Sequence, residues 1–293
     1  MKILVIGARG QLGHELMCLS SPSEHEFRFA DLEEDACGIE SLDITDRSQV
    51  NRFVSPDTDV IINCAAYNEV DNAEDDDKSA IKVNVEAVAI LAEAALKADA
   101  LLIHFSTDYV FDGKSNVPYT EEDQTSPLSA YGRSKLAGEK AVIQSGCRYM
   151  IFRTSWLYSS TGRNFFKTIA GKCAECPSLM VVNDQAGTPT YAYDLASLLM
   201  YIIDNDMLDK TGLYHYSNDG VATWYDFAKE INDILGYTCR VVPCRTSEFP
   251  RKACRPSYSV LDKKKVKETF GIEVPHWRES LKMMVLDYEN NLL

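Results

Sequence analysis

A phenol and an ammonium stand four residues apart in YGRSK, at Tyr131 and Lys135, and Ser106-Thr107 closes an apolar run upstream of them. On a helix, residues i and i+4 share a face. A positive charge beside a phenol favours the phenolate, so the spacing predicts an acid of tuned strength that can give a proton to a developing alkoxide. Tyr131 and Lys135 taken alone would also suit a surface helix pair. The amino terminus raises the set above chance. There KILVI runs into GARGQLG, with Gly7, Gly10 and Gly13, and then into the helical pattern QLGHELMCL. Strand, glycine turn and helix start together aim backbone N–H groups and the positive end of a helix dipole at a pyrophosphate, and the missing Cβ atoms let it approach. The chemistry that joins the two sets is reduction: a hydride from a bound dinucleotide and a proton from Tyr131.

Asp31 ends the next apolar run, about twenty residues past the glycine turn, where a carboxylate accepts from ribose hydroxyls and repels a 2′-phosphate. That favours NADH. Arg9 could offset it by pairing with such a phosphate, or could simply lie in solvent, so the expected cofactor is NADPH or NADH. In NCAAYNEVD, the small Ala65 and Ala66 leave room for a cofactor beside the backbone, although core packing favours small residues as well.

These residues need a scaffold that brings strand ends together. The runs ILVIG, FRFAD, DVIINCAA, ALLIHFST, YMIFRTSW and LMVVND alternate with helix-period segments, the pattern of a parallel sheet covered on both faces. In AIKVNVEAVAILAEAALKA, the residues Ile81, Val85, Val88, Leu91 and Ala95 predict one stripe packed on that sheet. A further helix, YGRSKLAGEKAVIQ, is predicted after Pro127 and ends near Gly146. Beyond residue 155 the pattern loosens into FFKTIAGK, DLASLLMYII and WYDFAKEINDIL, separated by turn-rich segments. The expected fold is α/β: a Rossmann-type doubly wound parallel sheet in residues 1–155 and a smaller mixed α/β substrate lobe in 156–293, with later segments free to return to the sheet.

With 293 residues, 45% of them hydrophobic and 25% charged, the chain can bury a large core, and disordered or fibrous readings are excluded. A net charge of -14 argues against binding nucleic acid or an anionic membrane surface, since both rest on a basic field. No apolar run approaches a membrane span. The nine scattered cysteines, an odd number, and the lack of a leader pattern point to a reducing cytoplasm, and the single CxxC at Cys173 and Cys176 reads as ordinary thiols. One stretch runs against the acidic whole: residues 240–267 hold nine Lys or Arg against two acids, so an anionic ligand, an acidic neighbour or a solvated face is expected there.

The spacing GxxGxxG resembles that of the short-chain dehydrogenase/reductase superfamily. GARGQLG, NCAAYNEVDNAE, STDYVFDG, YGRSKLAGEKAV, FRTSWLYSSTGRNFFKT, NDQAGTPTYAYDLA, GLYHYSNDGVATWYDFA and ACRPSYSVLD together resemble one extended family within it, the dTDP-4-dehydrorhamnose reductases. The resemblance implies reduction of the 4-keto group of dTDP-4-dehydro-β-L-rhamnose to dTDP-β-L-rhamnose. It further implies Tyr131 as proton donor, Lys135 as its tuner and ribose ligand, and Thr107 on the substrate oxygen. By the same likeness Asp108 and Trp156 line the sugar pocket, and Gly10, Gln11, Leu12, Asp31, Asp43, Ile44, Ala65, Ala66, Tyr67 and Phe105 touch the dinucleotide. The family's basic pair before the proline reads Cys254-Arg255 here, which leaves Arg255 as the candidate for the diphosphate. Some members dimerise through a carboxylate-bridged metal. Glu15 suits that role but Tyr193 stands where a partner acid is expected, so no metal is predicted and a homodimer stays open. Two alternatives remain: a nucleotide-sugar dehydratase or epimerase, weakened because Thr107-Asp108-Tyr109 lacks the Glu that would serve as base, and a non-catalytic dinucleotide-binding regulatory subunit, weakened by the intact Tyr131, Lys135 and Thr107.

Overall fold

The computed structural model describes residues 1–36 and 38–290. Its centre is a seven-stranded sheet of β1 (Lys2–Ile6), β2 (Glu26–Asp31), β3 (Ile39–Ser41), β4 (Val60–Asn63), β5 (Leu101–Thr107), β6 (Arg148–Thr154) and β7 (Gly212–His215), in the order β7-β6-β5-β4-β1-β2-β3. Every pairing is parallel. The chain steps from β1 outward to β2 and β3, then crosses to the other side of β1 for β4. At such a switch point the two loops leave the strand ends in opposite directions and open a crevice.

The α-helices in chain order are α1 (Gln11–Ser20), α2 (Arg47–Phe53), α3 (Asp77–Ile81), α4 (Ala87–Ala98), α5 (Ala130–Ser145), α6 (Phe165–Glu175), α7 (Ala192–Asp204), α8 (Trp224–Ile234), α9 (Lys264–Phe270) and α10 (Trp277–Asn290). Alternation along the strands sorts two cores. Ile3, Val5 and Ile103 pack with Leu16 of α1 and Leu199 of α7, whereas Leu4, Ile6 and Leu102 pack with Val50 of α2, Leu91 of α4 and Val142 of α5. A third core, with Tyr158, Phe166, Phe227, Ile231 and Trp277, sits under α6 and α8.

Three features depart from the sequence pattern. The run LMVVND forms a strand, Ser178–Val182, that does not enter the central sheet; it pairs with Arg240–Cys244 in a separate two-stranded sheet. Ser178 and Met180 are exposed, so that strand is covered on one face only, unlike the central ones. The central sheet instead gains the three-residue β3 and, from far down the chain, β7, which pairs with β6. The long helix before β5 contains a π-turn at Lys82–Glu86. Its extra residue rotates everything before it, so Ile81 is 40% exposed while Val88, Leu91 and Ala95 stay buried.

The helix that carries Tyr131 and Lys135 is fixed at both ends and along its side. The Ser129 hydroxyl caps it by accepting from Gly132 N at 3.0 Å, and the Glu74 carboxylate accepts from Ala130 N at 2.7 Å. It stops at Gly146, which takes a φ of +78°. Farther along, buried Arg153 of β6 grips buried Glu139 with two hydrogen bonds of 2.9 and 2.8 Å. Losing one member would strand the other's charge in the core, so this pair holds α5 to the sheet.

Candidate active site

The glycine turn leads straight from β1 into the crevice. Gly7 has a φ of +79°, and a Cβ there would lie 2.6 Å from Ala65 N, so the turns after β1 and β4 touch only because this residue is glycine. Gly10 occupies the N-cap of α1 without a capping side chain, which leaves the first N–H groups of the helix open toward the crevice, at Gln11, Leu12 and Gly13. One end of the crevice is a cavity of about 490 Å³, in which Asp31, Asp43, Ile44 and Tyr67 surround Gly10, Ala65 and Ala66. Asp31 is already oriented: its carboxylate accepts from Arg9 N at 2.9 Å and Leu32 N at 2.8 Å. The Arg9 guanidinium, 48% exposed, pairs with the exposed Glu33 carboxylate at 2.8 Å.

The other end is a cavity of about 350 Å³ that brings Gly10, Gln11, Leu12, Phe105, Thr107, Asp108, Tyr131, Lys135 and Trp156 together. Of the catalytic, cofactor and substrate residues expected from sequence, Arg255 and Gly13 line neither of these cavities; Gly13 packs under the turn, where a Cβ would run into the Gly7 carbonyl. The Tyr131 hydroxyl donates to Asn68 Oδ1 at 3.4 Å, and its ring meets Tyr109 edge-on at 6.0 Å. Burial holds the phenol above its ordinary pKa, with Thr107 opposing and Asp108 adding to the rise. The expected lowering by Lys135 is not found: Lys135 is not among the groups that shift the phenol, burial dominates, and the Lys135 ammonium donates to the Phe105 carbonyl at 2.6 Å. Burial also pulls Lys135 down to about 8. Thr107 donates to Asp108 Oδ1 at 3.1 Å, and Asp108, only 2% exposed with its Oδ2 unpartnered, is pushed up to about 7 by burial.

A third cavity of about 360 Å³ adjoins the second, and Val70, Tyr109 and Trp224 line both. Its walls are apolar at Phe165, Ile169 and Leu179, and Arg251 and Arg255 stand at its rim. The Arg255 guanidinium donates to both carboxylate oxygens of Asp71, at 3.1 and 2.9 Å. The basic stretch therefore meets acidic neighbours: Lys252 pairs with Asp75, and Lys263 and Lys267 pair with Asp219.

Asn68, Tyr109 and Trp224 went unnoticed in the sequence. Asn68 and Tyr109 lie inside segments that already drew attention, NCAAYNEVD and STDYVFDG, but nothing in their types or spacing set them apart. The carboxyl of Glu15 is pushed up to about 7 by burial and by Asp287, whose carboxylate accepts from the Tyr191 hydroxyl at 2.7 Å. Tyr193 is exposed, and among the described residues no group of three His, Cys, Asp or Glu is placed to hold a metal ion.

A family model described as the RmlD substrate binding domain matches residues 1–290. A dTDP-4-dehydrorhamnose reductase of Burkholderia thailandensis is 38% identical, over 98% of this chain and 99% of its own. The chain belongs to the dTDP-4-dehydrorhamnose reductase family. Solved members superpose closely: one from Clostridium acetobutylicum has a TM-score of 0.92 at 41% identity, covering 99% of this chain and 100% of its own. Another, from Bacillus anthracis in complex with NADP, has a TM-score of 0.89 at 35% identity, covering 98% and 99%. A dTDP-glucose 4,6-dehydratase of Streptomyces venezuelae, 19% identical with a TM-score of 0.82 over 99% of this chain and 98% of its own, shares the fold alone.

Proposed function

We propose that this protein is an NAD(P)H-dependent reductase that converts the 4-keto group of dTDP-4-dehydro-β-L-rhamnose to the alcohol of dTDP-β-L-rhamnose. The observation that carries the reading is the convergence of Tyr131, Thr107 and Lys135 on one cavity that opens on one side to the glycine turn and on the other to an apolar, arginine-rimmed cavity. The first opening suits a dinucleotide; the second suits a pyrimidine nucleotide with its diphosphate. NADPH or NADH, when bound, supplies the hydride. The turn at Gly7, Gly10 and Gly13 and the N–H groups of Gln11 and Leu12 hold the pyrophosphate. Asp31 takes the ribose hydroxyls, Asp43 and Ile44 the adenine, and Ala65, Ala66, Tyr67 and Phe105 the walls.

Tyr131 supplies the proton. A phenol whose proton is held firmly by burial stays a donor until a stronger base appears, and the alkoxide forming at sugar carbon 4 is that base. Lys135, near 8, can be charged or neutral close to physiological pH, and its fixed place beside the strand end suits it to the nicotinamide ribose. Thr107 can donate to the carbonyl oxygen when Asp108, near 7, is protonated and its O–H makes a hydrogen bond to Thr107 Oγ1 in place of accepting one. Trp156 offers the sugar an apolar face. Arg255 would exchange Asp71 for the diphosphate, a bidentate acceptor of the same geometry.

The dehydratase and epimerase reading lacks a second acid-base residue after Thr107, since Asp108 is followed by Tyr109. The reaction is tested by following NAD(P)H oxidation with the dTDP keto sugar and identifying the product by NMR. A 4-hydroxyl product of the rhamno configuration is expected. Binding of cofactor without turnover would leave the regulatory-subunit reading, and loss of water from a dTDP-hexose would leave the dehydratase. The eight described cysteines are free thiols, which supports a reducing compartment such as the cytoplasm, and no described helix is long and apolar enough to cross a membrane.

A further inference from the structure

Two indole rings form part of the wall between the catalytic cavity and the apolar one. Trp156 and Trp224 lie 3.6 Å apart, centroid to centroid, with their planes 11° from parallel. Aromatic pairs prefer offset or edge-on contact, because a full overlap sets two negative ring faces against each other. Trp156 also has a φ of +48°, a left-handed conformation that a bulky residue adopts only when its surroundings impose it. Two unfavourable local choices at one side chain indicate that its placement is enforced.

The enforcing elements come from one small ribbon. Ala186–Gly187 pairs antiparallel with Ala222–Thr223, with Gly187 opposite Ala222 and Thr223 opposite Ala186. Gly187 is buried against the Trp156 indole: a Cβ there would lie 2.7 Å from both Cε2 and Cζ2. The partner strand ends in Thr223, which caps α8 by a reciprocal pair of hydrogen bonds with Asp226 and so fixes Trp224 as the first residue of the helix. Phe165 of α6 packs on Trp224 at 4.6 Å. The Trp156 carbonyl is held as well, accepting from Thr190 N at 3.2 Å.

We propose that Trp224 and Gly187 are positioning residues for the reduction: they clamp the Trp156 indole in the one orientation that presents its face to the sugar. The inference rests on the reading of Trp156 as the sugar's apolar wall. Trp224 touches the cavity beside Trp156, and its effect on the reacting carbon is exerted through that indole. Because binding geometry sets how well hydride and proton align with the carbonyl, a tilted Trp156 costs turnover more than it costs cofactor affinity.

The test uses Trp156→Ala, Trp224→Leu, Trp224→Phe and Gly187→Ala in the full chain, with near-ultraviolet circular dichroism beside steady-state kinetics. Stacked indoles couple their transitions, and the third tryptophan, Trp277, is buried elsewhere and reports an intact core. The wild type should show the coupled signal. Trp224→Leu and Gly187→Ala should lose it and lower kcat/KM for the keto sugar nucleotide roughly tenfold, with the Kd for NADPH unchanged and Trp224→Phe retaining most activity. Gly187 does not line the apolar cavity, so its variant separates the clamp from any direct contact of Trp224 with nucleotide. No coupled signal in the wild type overturns the proposal. So does full activity in Trp224→Leu and Gly187→Ala when Trp156→Ala is impaired. Full activity in Trp156→Ala would instead remove the sugar-facing reading of Trp156, and the clamp's purpose with it.

Discussion

The dinucleotide crevice and the adjoining apolar cavity are built on opposite plans. At its middle the crevice is made of backbone, a glycine turn, the open N–H groups of α1 and two alanines, all within a few residues of the strand ends β1 and β4, and only its far end is closed by side chains, at Asp31, Asp43, Ile44 and Tyr67. The apolar cavity is made of side chains from separated stretches, among them Val70, Tyr109, Phe165, Leu179, Trp224 and Arg255. A pyrophosphate is the same in every dinucleotide, so backbone groups at fixed spacing suffice for it. A sugar nucleotide has to be told apart from its epimers, and that needs particular side chains held by particular neighbours. Between the two lies a floor of titratable groups, the half-buried Tyr131 and the buried Lys135 and Asp108, whose proton affinities are shifted chiefly by desolvation.

If the floor supplies the proton, its removal should outweigh any change on either side. Tyr131→Phe keeps the ring against Tyr109 and deletes only the hydroxyl. We expect kcat to fall by about two to four decades with cofactor affinity nearly unchanged, the range of a lost general acid. Steady-state kinetics with both substrates checks this, and near wild-type turnover would move the acid elsewhere.

The same floor should be visible in stability. Asp108 has a folded pKa raised to about 7 from the ordinary 3.8, so between those values the folded protein holds a proton that the unfolded chain has released. Stability from this group is therefore full below about pH 4 and declines as pH rises to about 7, by up to ~4 kcal/mol from the size of the shift. Asp108→Asn, neutral at every pH, should gain little at pH 4 and most above pH 7. Urea unfolding of both proteins across that range tests it; a pH-independent difference would mean that the carboxyl stays ionised.

Most of the floor and the crevice could be read from sequence because each motif is contiguous and its chemistry depends on spacing: Tyr131 with Lys135, and the three glycines. Strands buried on both faces were legible for the same reason, as unbroken apolar runs. Where the reading failed, the deciding information was three-dimensional. IES and GLYH are too short to announce β3 and β7, and the β-branched run at Ser178–Val182 does not say which sheet it joins. One extra residue in the π-turn displaced Ile81 from its stripe. Asn68 and Trp224 reach the site from a loop and from the first turn of a distant helix. The direction of the Tyr131 shift was missed because spacing places Lys135 on the same face but does not show the burial that dominates the phenol.

On the sugar-nucleotide side, Arg255→Ala should raise KM for the substrate by the equivalent of about 1.5–3 kcal/mol, the worth of a charge-assisted hydrogen bond, and leave NADPH affinity alone. Asp71→Asn frees the guanidinium from its present acceptor and should tighten dTDP. Titration calorimetry with dTDP reads both. Equal affinity in all three proteins would place the diphosphate elsewhere and leave the Arg255–Asp71 pair as a tie between two loops.

The smallest effect is expected at the far end of the crevice, where both carboxylates are partly in water and salt screens them. Asp31 is aimed by two backbone N–H groups; if it faces the ribose and so repels a 2′-phosphate, Asp31→Ala should raise the ratio of kcat/KM for NADPH over NADH by about five- to tenfold. Glu33 acts on the same preference by a second route. It occupies the guanidinium of Arg9, which lines the same cavity as Asp31, and Glu33→Gln should release Arg9 and shift the ratio in the same direction by a smaller factor. The two should reinforce each other, since a phosphate relieved of Asp31 still lacks a partner until Arg9 is free. Measuring both cofactors in the single and double variants decides it: a double variant no different from Asp31→Ala would show that Arg9 does not reach the phosphate, and no change in any variant would show that the ribose lies away from Asp31.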